Sequence, residues 1–325
     1  MIGRGSDSRR AFGWLSLLAV LVLSGCAHVE SKAPALPQAP ELTATPFFPQ
    51  RDFECGPAAL ATVLAASGVA TTADGLSGEL YIPDRRGTLQ AEMLATARRH
   101  RRIAYPVQGL PDLIDQLRQG LPVAVLQRLG TWPIQVWHYA VVIGYDASTS
   151  QLVLRSGTDR RALLDVGHFM RTWAPGGNWA FVVLKPGELP AQPDANRYLA
   201  ATAAAESSLT AADRARAYRV ATLTWPAQAG AHFALGNSLH AQHLDATAEA
   251  SWRMAISLQP GHAGAINNLA DLLARSGRRR EALSLLDRSL AGRLEPEALR
   301  PVLLQTRQEL TGRQSTAAAD SKNPR

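Results

Sequence analysis

The chain has 325 residues, 46% of them hydrophobic and 19% charged. This is too long for one small domain and apolar enough to bury a sizeable core, which excludes a chain disordered along its length. The net charge of +7 does not mark a nucleic-acid binder. Met1–Gly25 carries three Arg and one Asp, so +5 remains beyond it, and the clusters Arg98–Arg102 and Arg278–Arg280 fall in no nucleic-acid motif and read as solvated helix ends.

In chain order, Arg4, Arg9 and Arg10 precede the apolar run Ala11–Leu23, which is too short to span a bilayer and suits a signal peptide over 1–25. Leu23-Ser24-Gly25-Cys26 resembles the lipobox of bacterial lipoproteins, which implies cleavage before Cys26, lipidation of its sulfur and anchoring in the cell envelope. Ala27 after it, by similarity to Gram-negative lipoproteins, implies the outer membrane. Residues 26–44, with Pro34, Pro37 and Pro40, read as a tether.

Residues 45–188 alternate helix and strand signals. Helices are expected over Pro57–Ser67, Thr88–His100 and Pro111–Gln119, the first and third with proline at the start and glycine at the end. Strands are expected over Pro122–Leu126, His138–Tyr145, Gln151–Arg155 and Ala180–Leu184. Helices followed by antiparallel strands give an α+β class. Residues 196–312 hold no strand signal and repeat every 34 residues, Pro226 to Pro260. Leu235-Gly236, Leu239, Ala248, Trp252 and Ala255 fall where a tetratricopeptide repeat places its packing residues, so this region resembles two good repeats and one degraded one, an all-α domain for binding a protein partner. Residues 313–325 read as a disordered tail.

Once Cys26 is assigned to the anchor, Cys55 is the remaining thiol. It cannot form an internal disulfide and needs another explanation. It stands before Pro57 at the mouth of a helix, where the partial positive charge favours thiolate, lowering such pKa values to about 3.5–7.5. Gly56 is expected to give a substrate backbone close access. Of the histidines in 45–188, His100 lies among arginines and His168 reads as a surface loop, whereas His138 opens an apolar strand that can fix an imidazole as base. Trp132 and Trp137 precede it and are placed to wall a groove. Gln50, five residues before Cys55, can donate its amide to an oxyanion beside the Cys55 N–H.

Gln50-x-x-x-x-Cys55-Gly56-Pro57-Ala58, with Trp137-His138-Tyr139-Ala140-Val141-Val142-Ile143-Gly144-Tyr145-Asp146, resembles the double-glycine, bacteriocin-leader-processing peptidases and their stand-alone relatives. The resemblance implies a papain-like fold, with Cys55 as nucleophile, His138 as base and Gln50 as oxyanion donor. That family carries Asp, then Pro, on the strand after the histidine; here Ser156 takes the position, with Asp159 and Asn178 as further candidates for the third role.

The expected protein is therefore a lipid-anchored cysteine peptidase acting on a peptide or protein. The alternative is an inactive peptidase fold that scaffolds an envelope complex through its repeats. No cofactor is expected, as the chain has no phosphate-cradling glycine loop and no zinc spacing beyond the weak pair His240 and His243.

Overall fold

The computed structural model describes residues 36–85, 87–131 and 133–320, with Pro37–Arg325 as one compact unit. The signal segment, Cys26, most of the tether, Trp132 and residues 321–325 lie outside the described residues. Among the described residues no helix is long and apolar enough to cross a membrane.

The first part of the unit is mixed α/β. Helix α1, Cys55–Ala66, is apolar over most of its circumference, and its residues Gly56 to Leu64 are buried, as a helix enclosed between layers must be. Helices α2 (Ala73–Leu80) and α3 (Gln90–Arg99) lead to strand β1 (Ile103–Pro106) and helix α4 (Gly109–Arg118). Strands β2 (Val123–Thr131), β3 (Ile134–Asp146), β4 (Gln151–Ser156) and β5 (Asp159–Asp165) follow, then helix α5 (Val166–Trp173) and strand β6 (Ala180–Leu184). They form one antiparallel sheet in the order β1-β6-β2-β3-β4-β5. Tyr139, Val141, Ile143, Val153, Phe181 and Val183 pack with the buried face of α1 into one core.

Two devices aim this sheet at a site. The long hairpin β2–β3 runs in register from Val123↔Val142 to Thr131↔Ile134, whereas β4 pairs with β3 only from Val141 onward. The first half of β3 thus extends past the end of β4, and His138 sits in that overhang. The second device is a strap of chain ahead of Cys55. Ala39 and Tyr145 exchange backbone hydrogen bonds, and Leu42 N–H donates to the Ile143 carbonyl at 2.7 Å. The strap lies so close to β3 that a Cβ on Gly144 would stand 2.9 Å from the Glu41 Cα. Buried Arg155 on β4 clamps it by donating to the carbonyls of Thr43 (3.3 Å) and Thr45 (3.0 Å). Holding strap carbonyls on a buried guanidinium ties strap and sheet together.

The rest of the chain is helical: α6 (Ala195–Ala205), α7 (Ala211–Thr224), α8 (Ala229–His240), α9 (Asp245–Leu258), α10 (Ala263–Arg275), α11 (Arg279–Leu290) and α12 (Arg300–Asp320). The starts of α6, α8 and α10 are 34 residues apart, and so are those of α7, α9 and α11. The period therefore includes the segment read as degraded. Gly236 on α8 faces Trp252 on α9, where an added Cβ would lie 2.5 Å from the ring. A glycine against a buried tryptophan lets the two helices of a pair approach closely. Helix α12 continues into the segment expected as a tail.

Several expectations are corrected. Helices α1 and α4 begin two residues before the prolines read as their first positions. His168 lies on α5, not in a loop, because Asp165 caps that helix by accepting from the His168 N–H at 3.0 Å.

Candidate functional site

Cys55 is the first residue of α1 and is partly buried. The helix mouth is fixed from both sides. Glu54 accepts a hydrogen bond from the Ser77 hydroxyl at 2.8 Å, and its carbonyl accepts from Ala58 N–H at 3.2 Å. Gly56 has a different task from the one expected. A Cβ there would stand 2.4 Å from Thr88 Oγ1, so the glycine admits Thr88 and not a substrate backbone. The Thr88 carbonyl accepts from the Tyr139 hydroxyl at 3.1 Å, which locks β3 to this corner.

His138 is buried, and its Nε2 lies 2.9 Å from Ser156 Oγ. Of the three candidates for the third position, Ser156 is the one in contact with the imidazole. The other two candidates for the third position lie elsewhere. Asp159 begins β5 directly across from Ser156 but is exposed, and no hydrogen bond joins it to His138. Asn178 lines a different cavity, among residues of α3, β1, β6 and α6.

Gln50, Cys55 and His138 line one cleft of ≈ 670 Å³, together with Thr88, Val136, Trp137 and Tyr139. Trp137 and Val136 are exposed along its rim, so Trp137 does wall the groove; Trp173 is fully buried in the core. Gln50 is tied to the end of β4 by its N–H to the Gly157 carbonyl at 3.2 Å. Its Oε1 is buried without a hydrogen-bond donor. Among the described residues, no group of three or more His, Cys, Asp or Glu is placed to hold a metal ion.

The electrostatics depart from the expected helix-mouth thiolate. Burial pushes the Cys55 thiol up, and this outweighs the backbone N–H groups of Tyr139, Gly56 and Cys55 that favour the anion. Burial also holds the His138 imidazole below its ordinary value. Both shifts favour the uncharged forms, so the resting pair is thiol and imidazole. A helix terminus supplies only about half an elementary charge and does not offset removal from water here. Raising a thiol pKa lowers its thiolate fraction at every pH below that value. Alkylation of Cys55 by iodoacetamide is therefore expected to rise with a midpoint above the ordinary 9.0. A midpoint near 7 or below would show an ion pair instead.

Residues 42–174 match the model of the Peptidase_C39 like family. This segment is similar to that family. The match takes in the strap from Leu42, α1, the cleft and the strands that carry His138 and Ser156, and β6 and the helical region follow it. Among solved structures, a protein from Bacillus anthracis described as a C39-like peptidase aligns at 17% identity and a TM-score of 0.37, over 46% of this chain and 98% of that one. The type III secretion translocator chaperone SycD of Yersinia enterocolitica aligns at 14% identity and a TM-score of 0.34, over 37% of this chain and 93% of its own. No curated protein matches the chain.

Tyr139 and Thr88 were missed as site residues. Tyr139 carried a signal, since it follows His138 on a strand and so faces the helix layer. Thr88 carried none, because its contact with Gly56 spans a loop and a helix.

Proposed function

We propose that the C39-like domain is a cysteine peptidase with Cys55 as nucleophile, His138 as base, Gln50 as oxyanion donor and Ser156 as the residue that orients the imidazole. The observation that carries this is the convergence of Gln50, Cys55 and His138 on one cleft, with His138 Nε2 already engaged by Ser156. In that arrangement Nε2–H donates to Ser156 Oγ, and Nδ1 remains free to accept a proton.

The pair starts neutral, so the thiol proton passes to Nδ1 as Sγ attacks the peptide carbonyl carbon. The Cys55 N–H and the Gln50 amide hold the oxyanion. The imidazolium gives its proton to the leaving amine, and the C–N bond breaks to leave a thioester. Water, deprotonated by His138, then hydrolyses the thioester and restores the thiol. We further propose that Cys26 carries a lipid anchor in the cell envelope, and that α6–α11 are tetratricopeptide repeats that bind a protein partner.

A second reading, an inactive scaffold, is favoured by one observation: the partner of His138 is a neutral hydroxyl, which gives the imidazolium no charge stabilisation. Digestion of a peptide library, read by mass spectrometry, separates the two. Cleavage by the wild-type chain, abolished by iodoacetamide, supports the peptidase. Silence in the wild type with cleavage by Ser156→Asp supports the scaffold, because a carboxylate this close to His138 raises its pKa by about 1–3 units and restores the missing charge.

A further inference from the structure

At the β1 edge of the sheet, at the opposite end from β5, a cavity of ≈ 410 Å³ opens between α3, the β1–β6 pair and the first helix of the repeats, α6. Its walls are mainly apolar, with Leu94, Val107, Phe181 and Ala201 among them. Three polar side chains break that lining, Arg98, Asn178 and Arg197. The Arg98 side chain has no ion pair or hydrogen bond among the described residues, and its Nε is buried without a partner. Asn178 buries its Oδ1 without a donor. The other cation of the lining, Arg197, is already satisfied. It pairs with Asp112 at 2.6 Å, donates to the Pro106 carbonyl at 3.2 Å and covers the Tyr105 ring.

An unpaired cation and an unpaired acceptor in one apolar cavity specify a ligand by what they lack. Arg98 lacks an anion, best supplied by a planar carboxylate. Asn178 lacks an N–H or O–H donor. The remaining volume calls for an aliphatic body. A peptide C-terminus with an apolar last residue carries all three within one residue: the α-carboxylate, the amide N–H beside it and the side chain. We propose that this cavity binds the C-terminal carboxylate of a peptide or protein ending in an apolar residue. A fatty acid offers the anion and the apolar body but no donor for Asn178. The site is separate from the Cys55 cleft, and the proposal does not depend on catalysis there. It places a second peptide-recognition point at the junction with the repeats.

The test is calorimetric titration of the full-length chain with N-acetyl-leucyl-leucine, its C-terminal amide and decanoate. The free acid is expected to bind at one site, and the amide about tenfold more weakly or worse, as loss of a charge-assisted hydrogen bond requires. Arg98→Gln is expected to bring the acid down to the level of the amide. Asn178→Gly keeps the left-handed backbone at φ 54°, which glycine adopts freely, and is expected to weaken both peptide forms. Ala204→Phe, at an exposed position of α6 in the lining, is expected to abolish binding at an unchanged melting temperature. Equal binding of acid and amide, wild-type affinity in Arg98→Gln or Ala204→Phe, decanoate binding as tightly as the peptide, or no binding at all would each overturn the proposal.

Discussion

His138→Ala is expected to lower kcat/KM for a cleaved peptide by about 10⁴-fold or more at pH 7, the loss seen when a nucleophile–base unit is broken in other hydrolases. The size follows from the resting charge state. With the Cys55 thiol held above its ordinary 9.0, under about one per cent of the sulfur is thiolate at pH 7. The N–H groups of Cys55 and Gly56 at the helix mouth and of Tyr139 on β3 do not reverse that, so a base must take the proton during attack. His138 is suited to this because burial keeps it unprotonated at neutral pH. The variant also has a distinctive pH dependence. With the base gone, the residual rate is expected to climb about tenfold per pH unit toward the thiol pKa, as hydroxide replaces the imidazole. In the wild type, the acid limb falls below the ordinary imidazole value of 6.5, the sign set by a lowered His138 pKa. A loss of less than about tenfold at pH 7, or a variant profile parallel to the wild type, removes His138 from the mechanism.

What the sequence disclosed follows from the range of each interaction. The apolar runs of β4 and β6 and the helix α1 were legible because their patterns are local and their residues are buried on both sides. Strand β5 was missed because Asp159-Arg160-Arg161 reads as a loop; it is an exposed edge strand in which Arg161 pairs with Glu41 of the strap at 2.9 Å. Strand β1 was missed because Ile103–Pro106 is only four residues and follows a run of arginines. Ser156 was singled out through the family resemblance, as the residue at the position of that family's Asp, and it stands 2.9 Å from His138 Nε2. The charge state of Cys55 was not legible, because the helix terminus is visible in sequence while the burial of the sulfur against the core is set by tertiary packing. Asn178 was misplaced for the same reason: its distance from His138 along the chain carries no information about which end of the sheet it serves.

Gln50→Ala carries the second large expected effect, a fall in kcat of about 10²–10³-fold with little change in KM. The amide would contact the carbonyl oxygen fully only once it becomes an anion, so its loss affects the transition state more than the bound substrate. The position makes that selective effect achievable. Gln50 is not on a free loop. Its backbone is bonded to Gly157, beside Ser156, and the strap before it is clamped by Arg155 and β3. The same short stretch at the end of β4 thus anchors Gln50, the proposed oxyanion donor, through the Gly157 carbonyl and the imidazole through the Ser156 hydroxyl. Gln50→Glu is the sharper control, since it keeps the shape but replaces the N–H donors with a charge that repels an oxyanion. It is expected to be at least as damaging as alanine at pH 7 and to recover partly as the pH falls and its carboxyl protonates. If alanine instead raises KM and leaves kcat intact, Gln50 binds substrate and the oxyanion rests on the Cys55 N–H alone.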